Sequence, residues 1–295
     1  MSKKHKAKAK KWKIEAKALK DRLVEALGDR IGQKTGPAVS PLAPAAGFPD
    51  LPVIAGAEFA AIEAGVRYKG RLDVMLARLA PGTVIAGTFT RSQTRSAAVR
   101  DCEAKIGGTA DDKLGAAILV NSGNSNAFTG ARGQASVEAV VGAVAARLKL
   151  PAERVFTAST GVIGEPLPHE RITAKLDDLA KALAPEALPQ AARAIMTTDT
   201  FPKGSVAELE IDGKPVRIAG IAKGSGMIAP DMATMLVYIF TDATIGQKPL
   251  QTMVSRLTDR SFNCITVDSD TSTSDTLLVA ATGKSPAPAL RDMRS

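Results

Sequence analysis

The segment from Lys223 to Leu236 contains the residue best placed to act as a nucleophile. It reads KGSGMIAPDMATML, and the small-residue bond Ala233–Thr234 lies directly before a strand-like run, 235–240. A threonine hydroxyl is a weak nucleophile that needs a base within hydrogen-bond reach. A cut between Ala233 and Thr234 would give Thr234 an α-amine of its own, which could serve as that base.

The shortage of histidine supports an amine base. The chain has two histidines, His5 in a basic segment and His169 after Pro168, so a Ser-His-Asp or Cys-His arrangement would depend on His169 alone. An α-amine has an unperturbed pKa of about 7.7–8.0 and is partly neutral near pH 7. From spacing alone, however, Thr234 is more typical of a β-branched residue that opens a buried strand.

Six further segments accompany 223–236 in a fixed order along the chain. They are GVRYKGR (65–71), GTFTR (87–91), VNSGNSNAFTG (120–130), STGVIGE (159–165), AIMTTDTFPK (194–203) and SFNCITVDSDTSTSD (261–275). From about Val39 to about Gly283, the chain resembles the bifunctional ornithine acetyltransferase / N-acetylglutamate synthase family of arginine biosynthesis.

The resemblance implies a reaction in two half-steps at one site. The protein cuts its own Ala233–Thr234 bond, and the Thr234 hydroxyl attacks the acetyl carbonyl of N-acetylornithine to form an acetyl-enzyme. Ornithine leaves, and glutamate takes the acetyl group. No cofactor stays bound. Bifunctional members also accept acetyl-CoA as donor, and no residue of this sequence distinguishes them from the one-reaction members.

The resemblance also assigns the remaining site residues. Thr160 and Gly161 match the family's oxyanion-stabilising pair, and Thr197 and Lys223 match its substrate-binding threonine and lysine, with Thr234 as the third substrate contact. Without the resemblance, the pattern favours plainer interpretations. They are a Thr-Gly turn, a polar residue at the end of a helix and an exposed loop lysine.

Two polar clusters have less specific patterns. Asn121, Asn124 and Asn126 follow a strand and are explained equally well by hydrogen bonds to substrate and by turn chemistry. Three aspartates lie among serines and threonines but lack EF-hand spacing, and the family needs no metal. We therefore predict a structural role for these aspartates, Asp268, Asp270 and Asp275.

The hydrophobic pattern predicts a mixed α/β (α+β) protein. Strands are expected at 83–89, 116–120, 155–158, 235–240 and 277–281, with a hairpin formed by 207–211 and 216–221 around Asp212-Gly213. Helices are expected at 136–148, 170–183, 188–196 and 250–262. The resemblance implies an N-terminal-nucleophile-like, self-cleaving acetyltransferase fold with layered sheets and flanking helices.

The charge of the chain is concentrated at one end. Of the net +9, residues 1–36 carry +8, since they hold ten lysines and two arginines against four acids. We expect residues 1–36 to be a basic amphipathic extension, which is most often a solvated face, and 37–50 to be a Pro/Ala-rich linker. The resemblance divides the rest into an α-chain-like region, 51–233, and the start of a β-chain, 234–295, that is incomplete at its C-terminus.

The composition excludes several other classes. No run of 18 apolar residues and no apolar signal core occurs, so a membrane span or export is not expected. Cys102 and Cys264 have no CxxC spacing, which argues against a zinc site and a disulfide framework. These features predict a cytoplasmic protein without a membrane partner.

Two alternatives to the acetyltransferase remain open at this point. One is an N-terminal-nucleophile aminopeptidase-type hydrolase, in which water rather than glutamate resolves the acyl-enzyme. The other is an inactive truncated fragment whose basic tail binds nucleic acid, although the small charge of the body makes nucleic acid an unlikely partner. The resemblance itself implies small-molecule substrates and an assembly of two copies of each cleaved chain.

Overall fold

The computed structural model describes residues 38–106, 113–228 and 235–292. The chain divides into two compact units, 1–41 and 42–295, and every element below belongs to the second. The predicted basic extension, 1–36, lies outside the described residues, and the predicted domain boundaries stay predictions. Among the described helices, none is both long and apolar enough to cross a bilayer.

The first sheet has four strands in the order β1-β2-β4-β5. These are β1 (Ala57–Ile62), β2 (Val74–Leu79), β4 (Ala116–Asn124) and β5 (Val155–Val162). The first three strands pair antiparallel, whereas β4 and β5 are parallel. Parallel strands end at the same edge of a sheet, so Asn124 and Val162 lie at one edge.

The second sheet has five strands in the order β3-β9-β8-β7-β6. These are β3 (Val84–Phe89), β6 (Lys203–Ile211), β7 (Lys214–Lys223), β8 (Leu236–Thr241) and β9 (Thr276–Ala281). Only β8 and β9 pair in parallel among these described strands. The strand β8, which follows the predicted cleavage point, is therefore central in its sheet.

Six α-helices and three short 3-10 helices complete the described part of the chain. The α-helices are α1 (Ala97–Ile106), α2 (Gly130–Leu148), α3 (His169–Thr173), α4 (Leu176–Lys181), α5 (Leu188–Ala194) and α6 (Gln247–Asp259). The 3-10 helices are Ala152–Arg154, Pro185–Ala187 and Phe262–Cys264.

The two sheets pack face to face between layers of helices. Met75 of the first sheet and Tyr238 of the second lie in one buried cluster, and the rings of Phe59 and Phe240 meet edge to face at 4.8 Å across it. The outer face of the first sheet packs against α2, α3 and α4. The outer face of the second packs against α6. This arrangement confirms the predicted mixed α/β class with layered sheets and flanking helices.

Most predicted elements are present, with longer or shifted bounds. The predicted hairpin is formed by β6 and β7 and turns at Asp212 and Gly213. Their φ angles of 49° and 69° suit the two-residue turn that an Asp-Gly pair favours. The predicted helix 170–183 is two helices, α3 and α4, separated at 174–175. The predictions did not include β1, β2 or α1.

Candidate active site

A cleft of about 440 Å³ opens where strand ends from both sheets meet. It is lined by Thr160 and Gly161 at the end of β5, by Thr197 after α5, and by Lys223 at the end of β7. These are the four predicted site residues that the structure describes. The structure brings all four together. Their chemical roles stay predictions.

The predicted nucleophile and cleavage bond, Ala233–Thr234, lie outside the described residues. Their neighbours on both sides are described. Met227 lines the cleft, and Met235 precedes β8 directly. The described chain therefore stops one residue after Met227 at the cleft and resumes at Met235, directly before the central strand of the second sheet.

The Thr160-Gly161 pair lies within the last residues of β5 rather than in a loop after it. Gly161 has a φ of +133°, and a Cβ built there would lie 2.3 Å from the backbone carbon of Gly123 on the neighbouring strand. Only glycine tolerates that approach and that φ. The close fit holds the backbone of Gly161 at the cleft wall next to Thr160.

The three asparagines at the end of β4, two within the strand and Asn126 just after it, are hydrogen-bonded within the protein. The side-chain amide of Asn121 donates to the carbonyl of Asn124 at 2.9 Å, that of Asn124 to Glu165 at 3.1 Å, and that of Asn126 to Gly133 at 2.9 Å. None of the three lines the cleft as described. The contacts therefore support a structural role for this cluster rather than hydrogen bonds to substrate.

Asp199 connects the two segments predicted to bind substrate, and sequence reasoning did not single it out. Its carboxylate accepts the N–H of Thr197 at 3.1 Å, the N–H of Gly224 at 2.8 Å and the Lys203 ammonium at 2.5 Å. Burial raises the pKa of Asp199, but the bonds from Lys203 and Gly224 outweigh it, so the pKa lies below its ordinary value. The sequence feature that could have pointed to Asp199 is its position within the segment TTDTFPK, 197–203.

Lys223 is buried rather than the exposed loop lysine that the plainer interpretation expects. It is 2% exposed at the end of β7. Burial lowers the pKa of Lys223, while the carboxylates of Asp199 and then Asp275 act in the opposite direction. Lys223 lines the cleft. An anionic group in the cleft would be attracted to it.

The connection between α6 and β9 holds the chain on both sides of 229–234. Upstream, Asp268 accepts the N–H groups of Met227 at 2.5 Å and Ile228 at 2.8 Å, and these bonds lower the pKa of Asp268. Downstream, Oδ1 of Asp275 accepts the N–H of Met235 at 2.8 Å. The structural role predicted for these two aspartates is thus a specific one, since each anchors a neighbour of the predicted cleavage segment.

Asp275 is the most strongly perturbed carboxyl group near the cleft. It is fully buried, and burial raises its pKa to about 8 although the N–H of Met235, the charge of Lys223 and the Ser272 hydroxyl favour the ionised form. Its Oδ2 has no hydrogen-bond partner among the described residues. A buried carboxyl oxygen without a partner is uncommon and calls for a functional explanation.

Elsewhere among the described residues, neither a larger groove nor a group of metal ligands brings such chemically active side chains together. A larger groove of about 660 Å³ lies at the opposite ends of the strands, where Glu58 and Arg78 pair with each other at 2.5 Å. The described residues contain no group of three His, Cys, Asp or Glu side chains spaced to hold a metal ion. The chemistry-bearing side chains are concentrated in the smaller cleft.

Comparison with known proteins agrees with the motif resemblance. The model of the ArgJ family matches residues 58–295. The chain belongs to the ArgJ family. A relative named arginine biosynthesis bifunctional protein ArgJ, from Ruegeria pomeroyi, is 70% identical over 247 residues, which cover 84% of this chain and 60% of the relative. The ArgJ protein of Nitrobacter winogradskyi is 52% identical over 246 residues, covering 83% of this chain and 59% of the relative.

Two solved structures of the ArgJ family resemble the fold. The ArgJ protein of Bacillus halodurans aligns with a TM-score of 0.53 at 31% identity, covering 62% of this chain and 92% of that one. Ornithine acetyltransferase of Mycobacterium tuberculosis, solved in complex with ornithine, aligns with a TM-score of 0.50 at 29% identity, covering 62% and 94%. This chain spans about 60% of the length of the curated ArgJ relatives it matches.

Proposed function

We propose that this ArgJ-family chain is a self-cleaving acetyltransferase of arginine biosynthesis. In this proposal it transfers acetyl from N-acetylornithine to glutamate through an acetyl-Thr234 intermediate. The observation that carries the proposal is the convergence of Thr160, Gly161, Thr197 and Lys223 on one cleft. The ornithine complex of the Mycobacterium tuberculosis relative supports a substrate of the same class.

The first half-reaction begins once Thr234 has a free α-amine. The amine accepts the hydroxyl proton as Oγ1 bonds to the acetyl carbonyl carbon. The resulting oxyanion is stabilised by Thr160 and Gly161, in the manner of preorganised hydrogen-bond donors. When the intermediate collapses, the C–N bond breaks, the amine of ornithine takes up the proton and ornithine leaves.

The second half-reaction reverses these steps with a different amine. Glutamate, through its neutral α-amine, attacks the acetyl carbonyl of acetyl-Thr234, and N-acetylglutamate leaves as Thr234 regains its hydroxyl proton. Both substrates carry an α-carboxylate, and Lys223 supplies a buried positive charge beside the cleft. One cation can therefore orient donor and acceptor in turn, with Thr197 on the neighbouring segment as a polar contact.

Three finer points belong to the same proposal. Acetyl-CoA is a second acetyl donor if this member is bifunctional, as its relatives' names state for them. The cleaved pieces assemble as two copies of each. The site is in the cytoplasm, where the substrates of amino-acid synthesis are present.

The test is acetyl transfer by the Thr234→Ala variant. We expect the purified unmodified chain to show pieces 1–233 and 234–295, the smaller of about 6.4 kDa, and to move labelled acetyl from N-acetylornithine to glutamate. Thr234→Ala should stay uncut and transfer nothing, because the nucleophile is gone. Thr252→Ala, on the exposed side of α6, is the matched threonine control.

Three outcomes would contradict this proposal. Transfer by Thr234→Ala would remove Thr234 as nucleophile. Label released as acetate with no N-acetylglutamate would identify a hydrolase of the aminopeptidase type. A cut chain that takes up no label from N-acetylornithine would show that the self-cleavage site serves another acyl donor.

A further inference from the structure

The acceptor and the donor of the proposed reaction differ in the charge of their side chains. Glutamate ends in a γ-carboxylate, whereas N-acetylornithine ends in an ammonium group. Lys223 supplies one cation for the α-carboxylate that both substrates share. A second carboxylate that leaves water for the cleft is costly unless it finds a cationic partner of its own. This requirement rests on the proposed function, since it concerns the acceptor of that reaction.

Arg71 is the one basic side chain besides Lys223 among the described residues that line the cleft. It is half-buried and lies shortly before β2. Its Nη2 donates a hydrogen bond to the carbonyl of Met196, and its guanidinium carbon lies 6.0 Å from the centre of the Tyr68 ring. These two contacts hold the guanidinium at the edge of the cleft.

A continuous series of contacts joins Arg71 to Lys223. The peptide group that accepts the hydrogen bond of Arg71 also donates one, from the nitrogen of Thr197 to the carboxylate of Asp199 at 3.1 Å. The same carboxylate accepts the N–H of Gly224, the residue after Lys223, at 2.8 Å. The two cations are therefore anchored to one network, and each lines the cleft from its own end of that network.

We propose that Arg71 selects glutamate as the acceptor by binding its γ-carboxylate while Lys223 binds its α-carboxylate. A guanidinium carries five N–H donors in a planar fork, so it can hold the carbonyl of Met196 and still bond both oxygens of a carboxylate. Glutamine ends in a neutral amide and offers no negative charge to this fork. Arg71 therefore discriminates between acceptors of nearly the same size and shape.

The side chain of the donor meets charges of the opposite sign in the same cleft. Asp268 and Asp270, on the connection between α6 and β9, also line it. The carboxylate of Asp268 accepts backbone N–H groups, and Asp270 is exposed. The ammonium group of N-acetylornithine is attracted to carboxylates and repelled by Arg71. Loss of the charge of Arg71 should therefore weaken the binding of glutamate and not that of the donor.

The experiment compares two acceptors with the full chain. Labelled acetyl is supplied as N-acetylornithine, and the concentration of glutamate or glutamine is varied. We expect Arg71→Gln to raise KM for glutamate about 10- to 100-fold, as for a lost hydrogen bond to a charged group, and to change KM for N-acetylornithine less than about twofold. The preference for glutamate over glutamine should fall by the same factor. Arg71→Lys keeps the charge without the fork and should be intermediate.

Arg67→Gln is the matched control. Arg67 belongs to the same segment, and its guanidinium carbon lies 5.8 Å from the centre of the same Tyr68 ring. It pairs with Glu165 at 2.5 Å on the surface and is not among the described residues that line the cleft. We expect this variant to keep the unmodified KM for glutamate.

A second control omits glutamate altogether. In the presence of labelled ornithine, the first half-reaction and its reversal move the label into N-acetylornithine. We expect Arg71→Gln to exchange label at nearly the unmodified rate, because no γ-carboxylate takes part. Circular dichroism of each variant reports whether it is folded.

The outcomes separate this inference from the proposed function. An unmodified chain that exchanges label, together with a folded Arg71→Gln variant that keeps the unmodified KM for glutamate, overturns the role of Arg71 alone. A KM that rises equally for glutamate and N-acetylornithine also overturns it, because that result indicates a purely structural role. A folded unmodified chain that exchanges no label removes the proposed acetyl transfer.

A binding measurement tests Arg71 without turnover and without a variant that must fold. Calorimetry compares N-acetylglutamate with N-acetylglutamine, which differ only in the group at the end of the side chain. We expect the unmodified chain to bind N-acetylglutamate about 10- to 100-fold more tightly. Equal affinity for the two ligands, or binding of neither, would overturn the role of Arg71 whether or not the chain transfers acetyl.

Discussion

Replacement of Asp199 by asparagine tests whether one buried carboxylate organises the side of the cleft that we propose binds substrate. Its Oδ1 accepts both the N–H of Gly224 and the Lys203 ammonium, and its Oδ2 accepts the N–H of Thr197. An asparagine that keeps an oxygen in the place of Oδ1 must turn its NH₂ group toward the N–H of Thr197. Two donors then face each other, and the charge that paired with Lys203 is lost.

The expected loss of unfolding free energy follows from these contacts. Loss of one hydrogen bond to a buried carboxylate costs about 1.5–3 kcal/mol, and the weakened pair with Lys203 adds to it. We expect Asp199→Asn to lower the free energy of unfolding by about 2–4 kcal/mol, measured by urea denaturation at pH 7. Thr197 and Gly224, the residue after Lys223, lose a common anchor in this variant. KM for N-acetylornithine should therefore rise more than kcat falls.

The pH dependence gives a second check on the same variant. The folded-state pKa of Asp199 is lowered, so its contribution to stability is complete above the unfolded-state pKa of about 3.9 and is lost as pH falls through the folded-state pKa. The difference in unfolding free energy between Asp199→Asn and the unmodified chain should therefore be the same at pH 7 and pH 5.

The control is Asp177→Asn, and two results would refute the reasoning. Asp177 pairs with Arg147 at 2.6 Å on the surface, and loss of such an exposed pair changes stability by about 0–1 kcal/mol. An Asp199→Asn variant no less stable than this control would show that the three contacts contribute little. An unchanged KM would show that Asp199 does not act through the binding segments.

Two further variants test the oxyanion pair. Thr160→Ala should lower kcat for acetyl transfer by about 100- to 1,000-fold with little change in KM, because the donor acts in the transition state; steady-state kinetics that show an effect on KM alone would contradict this role. Gly161→Ala should lose soluble folded protein or self-cleavage, because its Cβ would lie 2.3 Å from the backbone of Gly123. Normal expression and cleavage of Gly161→Ala would show that β4 can move aside.

Local sequence patterns predicted the second sheet better than the first. The hairpin follows from alternation around Asp212-Gly213, a signal within one short segment. By contrast, β2 (VMLARL) is apolar on both faces, since Met75 packs between the sheets and Leu76 against the outer helices. A strand buried on both sides shows no alternation, and a short apolar run does not distinguish strand from helix.

Local sequence patterns were also limited in what they predicted about single residues of the cleft. The motif resemblance selected Thr160, Gly161, Thr197 and Lys223, which the fold brings together. It did not indicate that Lys223 is buried, because its environment depends on Asp199 and Asp275, which are distant in sequence. Nor did it distinguish Asp275 from Asp270, since burial and the contact with Met235 arise only when β8 and β9 lie side by side.

The strand order of the second sheet determines what a cut at Ala233–Thr234 does to the molecule. The piece 234–295 contributes β8 and β9, which lie between β3 on one side and β7 on the other, and both of these flanking strands belong to the piece 1–233. The two pieces would stay joined by backbone hydrogen bonds along both borders and would copurify. Refolding, however, would become a bimolecular reaction that depends on concentration. The persistence of the cleaved protein would then be set by how slowly it unfolds rather than by how readily it refolds.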